Sequence, residues 1–559
     1  MERPSPRREK RHLLLLLVLD IHDHREIELF MKGIAGMGIR FPLGILFILI
    51  LSMVFSASQK SQNTLVVNTT DDRDDGHCDS IHCSLREAIN AANLRSGPNL
   101  IVFDPTLFPL SESGTIKPTK ELPHIIDFET TIDATGTGVT IDGSNLTSAS
   151  IEKECFTIHN SSRTVLKGMK IQNFPGWSTI FISSSDGGEA NDNTLIDLIL
   201  LNNGYGLPPY TGRGDAITIG SGWGGSRSCG NKVISCLIER NADDGIAIEA
   251  RDGGACHSNL IVGNTVKNNA EIGIEIDSEG TGSIAGWNTI ADNKILGHQF
   301  HSSFSFYSCN GGKTDHNIVC SNSMSSGRFT GIDIYSIGNG SSSSSNLVVN
   351  NQIMNQGQGI RLGNEPSGLA VNNIVKGNTF RENEGWGINL STDGNRLYHN
   401  NFIQNTNNGC DGGNNNTWDD KGKGNYWSDY QGLDNNGDGI GDTPYSIFPN
   451  GQDRFPLIKE TVFKRFEPPK NLRATALPGK RISLNWEYQL KDAYGFVIHR
   501  KEKIGKGWEW IPVKWTVGLA TKYSDTRLIA NSLYVYRVQA YDFRDYSFYS
   551  NTAQAKAKE

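Results

Sequence analysis

The chain has 559 residues, and its 53 Lys and Arg residues against 60 Asp and Glu residues give a net charge of −7 at pH 7. This length predicts several domains or one long repeat array, and the mild acidity gives no sign of a nucleic-acid-binding surface. The 61 glycines, without a Gly-X-Y period, indicate many tight turns and exclude a collagen-like chain.

Residues 1–60 are interpreted as an export segment. The apolar run Leu43–Phe55 follows Arg40 and ends in the small residues Ser56, Ala57 and Ser58. Such a run is too short to span a bilayer but suits the core of a signal peptide. The alternative is an anchoring helix that stays attached. We expect a secreted, cell-surface or periplasmic protein whose mature chain has no stable membrane span.

Residues 61–125 are predicted to cap the N-terminal end of the following domain. The segment Cys83–Asn93 begins with a capping box, in which Ser84 is the N-cap and Glu87 is the third helical residue. Leucine, alanine and isoleucine then recur on one face of this short helix. That apolar face can cover the open end of a stacked structure.

The nine cysteines fit an oxidising compartment without forming a disulfide scaffold. Cys78 and Cys83 lie five positions apart, close enough to form a disulfide. Two further pairs remain possible, Cys229 with Cys256 and Cys309 with Cys320. No CxxC pair occurs, which argues against a zinc site.

Residues 126–457 are dominated by a repeat. The pattern Gly-Ile-x-Ile, or a variant of it, recurs every 28 to 30 residues, with copies that begin at Ala216, Gly245, Gly273, Ser303, Gly331, Gly359 and Gly387. An asparagine lies 13 to 15 residues before each of the last six copies, at Asn231, Asn259, Asn288, Asn317, Asn346 and Asn373. A period of this length, made of short β segments and Asn/Gly turns, predicts a solenoid in which each coil stacks on the next.

The strand period of two predicts which side chains of the repeat point inward. Pairs such as Ile246 with Ile248 and Ile274 with Ile276 would form the core, with like residues stacked about 4.8 Å apart. The asparagines would form internal ladders that satisfy buried turn backbone. The residues between the core positions would face solvent in register.

The repeats resemble the right-handed parallel β-helix proteins of the pectin-lyase-like superfamily, which include pectin-degrading enzymes and many exported surface proteins. Cys83–Asn93 resembles the N-terminal cap of bacterial members, and Asn425–Ile447 is similar to the C-terminal end of periplasmic β-helix accessory proteins for copper-enzyme maturation. The resemblance implies an all-β fold: a right-handed parallel β-helix with a short N-terminal capping helix. It does not determine an activity, because this fold carries many functions.

A first set of candidate catalytic residues comes from a resemblance to the polygalacturonase family. The segment Ala242–Ile248 looks like the Asp-Asp motif of that family, so that Asp215, Asp243 and Asp244 would form its carboxylate trio. Hydrolysis of this kind needs an acid and a base that activates water. However, Ile272 occupies the position of the family's histidine, and Arg361 is only a distant substitute for its Arg-Ile-Lys motif. The alternative is that the two aspartates before Gly245 only shape a turn.

A second set lies on the outward side of the repeat. Glu275 and Asp333 are candidate catalytic residues there, and the candidate substrate-binding residues are Glu249, Asp277, Tyr307 and Tyr335. Aromatic rings can stack on sugars, and neighbouring carboxylates raise each other's pKa, as general acids require. A β-eliminating lyase or a uronate epimerase would also need a base and a cation that binds carboxylate. The alternative is an ordinary solvated sheet face.

The loop at residues 434–442 has the spacing of an EF-hand-like Ca²⁺ loop. The side chains of Asp434, Asn436, Asp438 and Asp442 and the carbonyl of Ile440 would supply alternate oxygen ligands. The bidentate glutamate is missing, because Tyr445 stands at position 12. We therefore expect a weak, structural calcium site, with a turn that binds no metal as the alternative.

Residues 467–559 are predicted to form a separate β-sandwich, because short alternating strands follow Pro468 and Pro469. Trp486 and Tyr534 resemble the core tryptophan and the corner tyrosine of fibronectin type III domains. Such a domain would serve as a spacer or an adhesive module.

Together these features predict an exported, modular and monomeric protein that binds or processes a polysaccharide or cell-surface glycan at or outside the cell envelope, with Ca²⁺ as a structural cofactor. A lyase, a hydrolase and a uronate epimerase all remain open, and so does the question of catalysis itself. The alternatives are a noncatalytic adhesin or envelope scaffold and, as a weaker one, a periplasmic accessory protein for metalloenzyme maturation.

Overall fold

The computed structural model of the chain describes residues 63–558, apart from residues 96, 147–152, 205–213, 299, 366, 462–466, 490–492, 494, 505–506, 517–518, 527 and 543–544. The predicted export segment, residues 1–60, lies outside the described residues. Among the described helices, none is long and apolar enough to cross a membrane.

Most of the described chain coils through three parallel sheets, to which successive coils contribute short strands. Within the described residues each of these sheets has twelve strands. The strands of sheet A are β1 Asn63–Val67, β2 Asn99–Phe103, β4 Thr130–Asp133, β7 Val165–Lys167, β10 Thr194–Ile196, β13 Lys232–Ile234, β16 Leu260–Val262, β19 Thr289–Ala291, β22 Ile318–Cys320, β25 Leu347–Val349, β28 Ile374–Lys376 and β31 Arg396–Tyr398.

The other two sheets are also built from parallel strands of successive coils, except that the last two strands of sheet C pair antiparallel. The strands of sheet B are β3 Gly114–Ile116, β5 Val139–Asp142, β8 Lys170–Gln172, β11 Ile199–Leu201, β14 Leu237–Glu239, β17 Thr265–Lys267, β20 Lys294–Leu296, β23 Ser323–Ser325, β26 Gln352–Met354, β29 Thr379–Arg381, β32 Asn401–Ile403 and β34 Tyr426–Trp427. The strands of sheet C are β6 Phe156–His159, β9 Ser178–Ser184, β12 Asp215–Ser221, β15 Ile246–Arg251, β18 Ile274–Glu279, β21 Phe304–Cys309, β24 Thr330–Ile337, β27 Gln358–Asn364, β30 Trp386–Leu390, β33 Asn407–Asp411, β35 Tyr445–Pro449 and β36 Gly451–Asp453. The sheets begin before the predicted residue 126, because β1 and β2 already pair in sheet A.

The core of the coils is the stack of inward side chains that the repeat predicts. Ile246 lies opposite Ile274, and Ile248 lies opposite Ile276. These four side chains have no exposed surface. The inward assignment is therefore confirmed, and it follows from the alternation of side chains along each strand of sheet C.

Asparagine ladders close the turns between the sheets. The Asn231 N–H donates to Oδ1 of Asn259 at 2.8 Å, and Nδ2 of Asn259 donates to the carbonyl of Ser228 at 3.2 Å. The same pattern continues to Asn373. A second ladder begins at Asn264 and runs in the same way through the next turn. Each amide thus satisfies buried backbone of an adjacent coil, as predicted.

The one described α-helix, α1 Leu85–Asn93, lies at the N-terminal end of the coils and contacts β1 and β2. Its capping box is complete, since the Glu87 N–H donates to Oγ of Ser84 and the Ser84 N–H donates to Oε2 of Glu87. The apolar face of the helix is buried. A disulfide joins Cys78 to Cys83 in the loop before it.

The other described cysteines are free thiols, and most of them are buried. The two further pairings that the spacing left possible, Cys229 with Cys256 and Cys309 with Cys320, therefore do not form. These side chains fill space in the coils as small apolar groups instead.

The C-terminal strands form two antiparallel sheets. The first contains β37 Lys470–Leu477, β38 Arg481–Glu487 and β41 Lys522–Asp525, and the second contains β39 Gly495–Ile504, β40 Gly507–Trp515, β42 Leu533–Asp542, β43 Asp545–Tyr549 and β44 Ala553–Lys556. Trp486 is buried between them with Phe496, their rings meeting edge to face. The Tyr534 hydroxyl accepts a hydrogen bond from the Ile529 N–H at 2.9 Å.

An apolar stripe on sheet A joins the coils to these C-terminal sheets. It is formed by the third residues of six consecutive strands, Ile196, Ile234, Val262, Ala291, Cys320 and Val349. Val497 and Tyr541 are buried against it. This part of the outward side of sheet A is therefore a packing surface.

Candidate functional site

A cleft of about 1050 Å³ lies over the outward side of the N-terminal half of sheet C. Its described lining includes five of the predicted site residues: Asp215, Asp243, Asp244, Glu249 and Glu275. They come from three consecutive coils, so that the 28- to 30-residue repeat brings distant acids side by side. The volume is that of a site for a ligand of several rings.

Asp215, Asp243 and Asp244 form the first acidic cluster of the cleft. Asp215 begins β12, and the other two lie in the turn before β15. Each offers a carboxylate oxygen, and these three oxygens lie within 4.8 Å of one another. The predicted trio is therefore assembled.

Hydrogen bonds from the backbone and from one hydroxyl group fix the orientation of Asp215 and Asp244. Oδ1 of Asp215 accepts from the Asp244 N–H at 3.2 Å, and Oδ2 accepts from the Thr218 hydroxyl at 2.7 Å. Oδ1 of Asp244 accepts from the Ile272 N–H of the next coil at 2.7 Å. Asp244 therefore both shapes its turn and faces the cleft, so the two interpretations of this residue are compatible.

The pKa values of the cluster are raised, first by burial and then by mutual repulsion. The pKa of Asp243 rises to about 7, because the carboxyl is buried and because Glu271 and Glu249 are near. Burial, together with neighbouring carboxylates, holds the pKa values of Asp215 and Asp244 well above the usual range. Near neutral pH such a cluster contains protonated as well as ionised carboxyl groups, which share their protons as a unit.

Glu249, Glu275 and Asp277 form a second acidic cluster, adjacent to the first. One carboxylate oxygen from each lies within 4.8 Å of the others. Burial raises the pKa of Asp277 to about 7, although Arg251 opposes the shift. The pKa of Glu275 also lies well above its usual range, owing to burial and to Asp277 and Glu249. Asp277 is only 5% exposed, which contradicts the expectation that it would face solvent.

Arg251 is a site residue that the sequence interpretation missed. Its guanidinium lies 2.6 Å from Asp277, 2.6 Å from Glu279 and 3.5 Å from Glu249. Burial alone would lower its pKa, but these carboxylates raise it. Outward residues alternate along β15, so the position two residues after Glu249 also faces outward. Applying this rule to the sequence would have identified Arg251.

Five predicted site residues lie outside the described lining of the cleft: Asp277, Tyr307, Asp333, Tyr335 and Arg361. Asp333 binds Arg361, whose Nε and terminal nitrogen donate at 2.8 and 2.5 Å, and Arg361 lies 4.7 Å from the ring centre of Tyr335. Arg361 is therefore paired with Asp333 and does not substitute for a cation of the acidic trio. Tyr307 is opposite both Asp277 and Tyr335 in the sheet register, so these tyrosines continue the same face beyond the cleft.

The cleft also contains aromatic and histidine side chains that no repeat motif marks. Trp177 is 42% exposed and lines the cleft together with Phe181 and His159. His301 lies 3.0 Å from Glu271, and both line the cleft. Ile272 occupies the position of the histidine in the polygalacturonase motif, but His301 of the next coil brings a histidine to the cleft. Its position just before the degenerate repeat at Ser303 was the available signal.

The predicted calcium loop lies away from the cleft and is exposed. Oδ1 of Asp434 accepts hydrogen bonds from the N–H groups of Gly437 and Asp438, and Oδ2 of Asp442 accepts one from the Asn435 N–H. The acids thus hold the loop as a series of turns. Calcium binding there stays a prediction.

A third described cluster that could hold a metal ion comprises Asp75, His82 and Glu87 beside α1. Both oxygens of Glu87 already accept backbone hydrogen bonds, from Asp75 and from Ser84. His82 lies 2.9 Å from Glu87 and 3.0 Å from Asp71. These contacts hold the disulfide loop against the helix.

Two family models match parts of the coils. The model described as "Right handed beta helix region" matches residues 130–319, and the model described as "Periplasmic copper-binding protein (NosD)" matches residues 285–432. No curated protein matches the chain.

Similar solved structures have low sequence identity. The periplasmic alginate epimerase AlgG is 15% identical over 60% of this chain and 71% of its own, with a TM-score of 0.40. The GH136 lacto-N-biosidase from Eubacterium ramulus is 13% identical over 66% and 69%, with a TM-score of 0.41. An Fn3-like protein from Clostridium thermocellum is 22% identical over 16% of this chain and 92% of its own, with a TM-score of 0.14. The first family model and the three parallel sheets together show that the chain forms a right-handed parallel β-helix.

Proposed function

We propose that the protein binds polysaccharide in the cleft over sheet C and hydrolyses its glycosidic bonds by general acid–base catalysis. One observation carries this proposal: the cleft brings carboxylate oxygens of Asp215, Asp243 and Asp244 within 4.8 Å of one another, and burial together with neighbouring carboxylates raises the pKa values of all three. Glycosidic hydrolysis needs a carboxyl group that carries a proton beside one that does not.

The roles follow from the environment of each carboxyl group. Asp244 is buried, and the Ile272 N–H holds one of its oxygens, so it is suited to donate a proton to the leaving oxygen. Asp243, with a pKa of about 7, is the group best placed to accept a proton from water. Asp215 bridges Thr218 and the Asp244 N–H and so positions Asp244.

The surroundings of the acids suit a sugar chain. Trp177 and Phe181 offer rings on which a sugar face can stack, while the carboxylates of Glu249 and Glu275 can bond hydroxyl groups. Tyr307 and Tyr335 continue this surface along sheet C, with Arg361 and Asp333 beside them. We propose that they bind further units of the same chain.

The geometry favours hydrolysis over the reactions of uronic acids. A β-eliminating lyase and a uronate epimerase both require a cation for the sugar carboxylate. Arg251 is occupied by three carboxylates of the protein itself. A noncatalytic adhesin remains the second candidate. An accessory role in metalloenzyme maturation is the weaker alternative, and the match of residues 285–432 to the periplasmic copper-binding family model is what supports it.

The remaining features complete the proposal. The chain would be exported through residues 1–60 and would act in the periplasm, at the cell surface or outside the cell. The C-terminal sheets would form a fibronectin type III-like spacer, α1 would cap the coils, and the loop at residues 434–442 would bind structural calcium.

The test is incubation of the purified protein with neutral, amino and uronic polysaccharides. New reducing ends indicate hydrolysis, absorbance of unsaturated uronates indicates a lyase, and intact bound chains indicate an adhesin. Asp244→Asn should lower hydrolysis about 100-fold or more, because it removes the proton donor but keeps the shape. Glu384→Gln, at an exposed glutamate outside the cleft, is the matched control. Cleavage by Asp244→Asn at the wild-type rate would contradict the assignment.

A further inference from the structure

The N-terminal end of the cleft is built from different side chains than its acidic centre. His159 on β6 and Phe181 and Ser183 on β9 line this end. In sheet C only β12 separates β9 from β15, so β9 lies about 10 Å from the turn that carries Asp243 and Asp244. A sugar unit bound over β9 would therefore be close to the acids without lying on them.

The ring of Phe181 leans over the next coil, where Gly220 leaves room for it. Phe181 is opposite Thr218 in the sheet register. A Cβ atom placed on Gly220 would lie only 2.9 Å from the Phe181 ring, so the ring covers backbone that carries no side chain. A ring supported in this way offers a fixed apolar surface to a sugar ring in the cleft.

Hydrogen bonds determine which nitrogen of His159 carries the proton. Oδ1 of Asn160 accepts from the Ser185 N–H at 3.1 Å, and Nδ2 of Asn160 lies 3.3 Å from Nε2 of His159. An amide nitrogen only donates, so Nε2 accepts and the neutral imidazole carries its proton on Nδ1. Nδ1 donates it to Oγ of Ser183 at 3.0 Å. Burial, and then His124, lower the pKa of His159, which favours the neutral ring.

Ser183 is left with a hydroxyl hydrogen to donate into the cleft. The residue is 7% exposed, and its oxygen accepts from His159. Within the part of the chain that the structure describes, no group accepts a hydrogen bond from this hydroxyl. A buried donor without an acceptor is destabilising, so this hydroxyl is suited to bind an oxygen of a ligand.

The charges of the cleft disfavour an acidic sugar at this end. Glu121 and Glu154 also line it. Among all the described lining residues, eight are Asp or Glu, one is arginine and none is lysine. Arg251 is paired with carboxylates of the protein, and His159 is neutral. A sugar carboxylate would therefore meet charges of its own sign.

We propose that the N-terminal end of the cleft is a subsite for an uncharged sugar unit, whose ring packs on Phe181 and one of whose oxygens accepts a hydrogen bond from Ser183. His159 and Asn160 position the Ser183 hydroxyl. This inference rests on the proposed function, because it names the substrate class of the same cleft: a polysaccharide with neutral units beside the bond that is cleaved. Binding of this unit uses none of the acids, whose proton exchange is left to hydrolysis.

The test measures the binding of tetrasaccharides to the purified protein by isothermal titration calorimetry. Four are neutral, built from glucose, galactose, mannose or N-acetylglucosamine, and the fifth is built from galacturonic acid. At least one neutral tetrasaccharide should bind, and at least about tenfold more tightly than the galacturonate. Binding of no neutral tetrasaccharide, or equally tight binding of the galacturonate, overturns the inference.

Variants connect this binding to the subsite. Phe181→Ala should weaken it about tenfold, and Ser183→Ala about three- to tenfold. Gly220→Ala should also weaken it, because the added methyl group displaces the Phe181 ring. Phe448→Ala, at an exposed phenylalanine of β35 outside the described lining, is the matched control and should leave it unchanged. Melting curves show whether each variant is folded.

NMR of the protein with ¹⁵N-labelled histidine tests the positioning of Ser183 without any ligand. The His159 signals, identified by their loss in His159→Gln, should show a neutral ring with its proton on Nδ1 near neutral pH. A proton on Nε2, or a positively charged ring, would contradict the role given to His159.

The outcomes separate this inference from the proposed function. Unchanged binding in folded Phe181→Ala and Ser183→Ala overturns the inference, even if the protein cleaves a polysaccharide. A neutral tetrasaccharide that binds through these residues but stays intact, together with a lack of cleavage of any polysaccharide, supports the subsite and contradicts the hydrolase. Cleavage of uronic polysaccharides alone supports a catalytic cleft and overturns the neutral subsite.

Discussion

At the scale of single residues, the repeated coil turns ordinary aspartates and glutamates into groups with unusual acidity. Asp277 and Glu249 are neighbours in the sheet register, one coil apart. Burial, together with the neighbouring carboxylates of Glu249 and Glu279, raises the pKa of the Asp277 carboxyl to about 7. The raised pKa values in the cleft therefore depend on the stacking of coils, which brings together residues that are far apart in the chain.

The raised pKa values predict how stability depends on pH. Asp243 and Asp277 have pKa values of about 7 in the folded protein, against 3.8 ordinarily, so the folded state binds more protons between these values. The stabilisation is fully present below pH 3.8 and is lost as pH rises through about 7. The contribution of these two groups to the free energy of unfolding should therefore fall between pH 3.8 and about 7 and level off above that.

Denaturant unfolding at several pH values measures this effect. Asp243→Asn removes one of the groups and should flatten the slope, whereas Glu384→Gln should keep it. A stability that rises with pH between 4 and 7 in the wild type and is unaffected by Asp243→Asn would contradict the assignment.

At the scale of elements, the stability of each strand of sheet C depends on its inward side chains, which pack against those of the strands before and after it. Ile274 is fully buried between Ile246 and Phe304. Ile274→Asp places a polar group without a partner in this stack, at a cost of about 2–7 kcal/mol and more if it is charged. The variant should melt well below the wild type.

The control for this prediction adds the same side chain outside the core. Lys294 is exposed on β20 of the following coil, so Lys294→Asp should change the melting temperature little. Equal melting curves for Ile274→Asp and the wild type would be incompatible with the inward assignment.

The loop at residues 434–442 is an element whose stability should depend on calcium. Asp434, Asp438 and Asp442 are exposed or half-buried acids in a glycine-rich segment with little core of its own. A cation that binds only the folded loop would stabilise it by about 2.7 kcal/mol at a hundredfold excess over the Kd. Millimolar Ca²⁺ should therefore protect this segment from proteolysis.

The comparison variants for calcium are Asp438→Ala and Glu384→Ala. Only Asp438→Ala should abolish the protection, and the upstream coils should stay folded in both. The same cleavage pattern with Ca²⁺ and with chelator would mean that the loop is only a turn.

At the scale of the whole described molecule, the outward side chains of sheet A and sheet C have different partners. On sheet A the apolar stripe contacts Val497 and Tyr541, whereas on sheet C the acids line the cleft. Val262 lies in the middle of the stripe and is 1% exposed. Its burial depends on the C-terminal sheets as well as on its own coil.

Val262→Asp should therefore loosen the contact between the coils and the C-terminal sheets. Proteolysis of the segment between them, residues 454–469, should become faster, while the coils themselves keep their circular dichroism. Thr265→Asp, at a half-buried outward position on β17 of sheet B, provides a control in the same coil. Unchanged cleavage in Val262→Asp would show that the stripe does not hold the two parts together.

The amino-acid sequence by itself determined the coils: their period, their inward residues and the asparagine ladders. These features depend only on contacts between residues one repeat apart. The spacing of Ile248 and Ile276, or of Asn231 and Asn259, is therefore enough to predict them. The same regularity placed Asp215, Asp243 and Asp244 in adjacent coils. It also aligned Glu249 with Asp277.

The tertiary structure decided which parts of the outward faces are enclosed. Trp177, Arg251 and His301 come to one cleft from different coils, and Arg361 stays outside it with Asp333. In the sequence Val262 looks like any outward residue of a short strand, but in the structure it belongs to the buried stripe that also includes Val497 and Tyr541. Burial of this kind depends on loops and on a separate set of sheets, which a local period does not encode, and burial is what raises the pKa values on which the proposed chemistry depends.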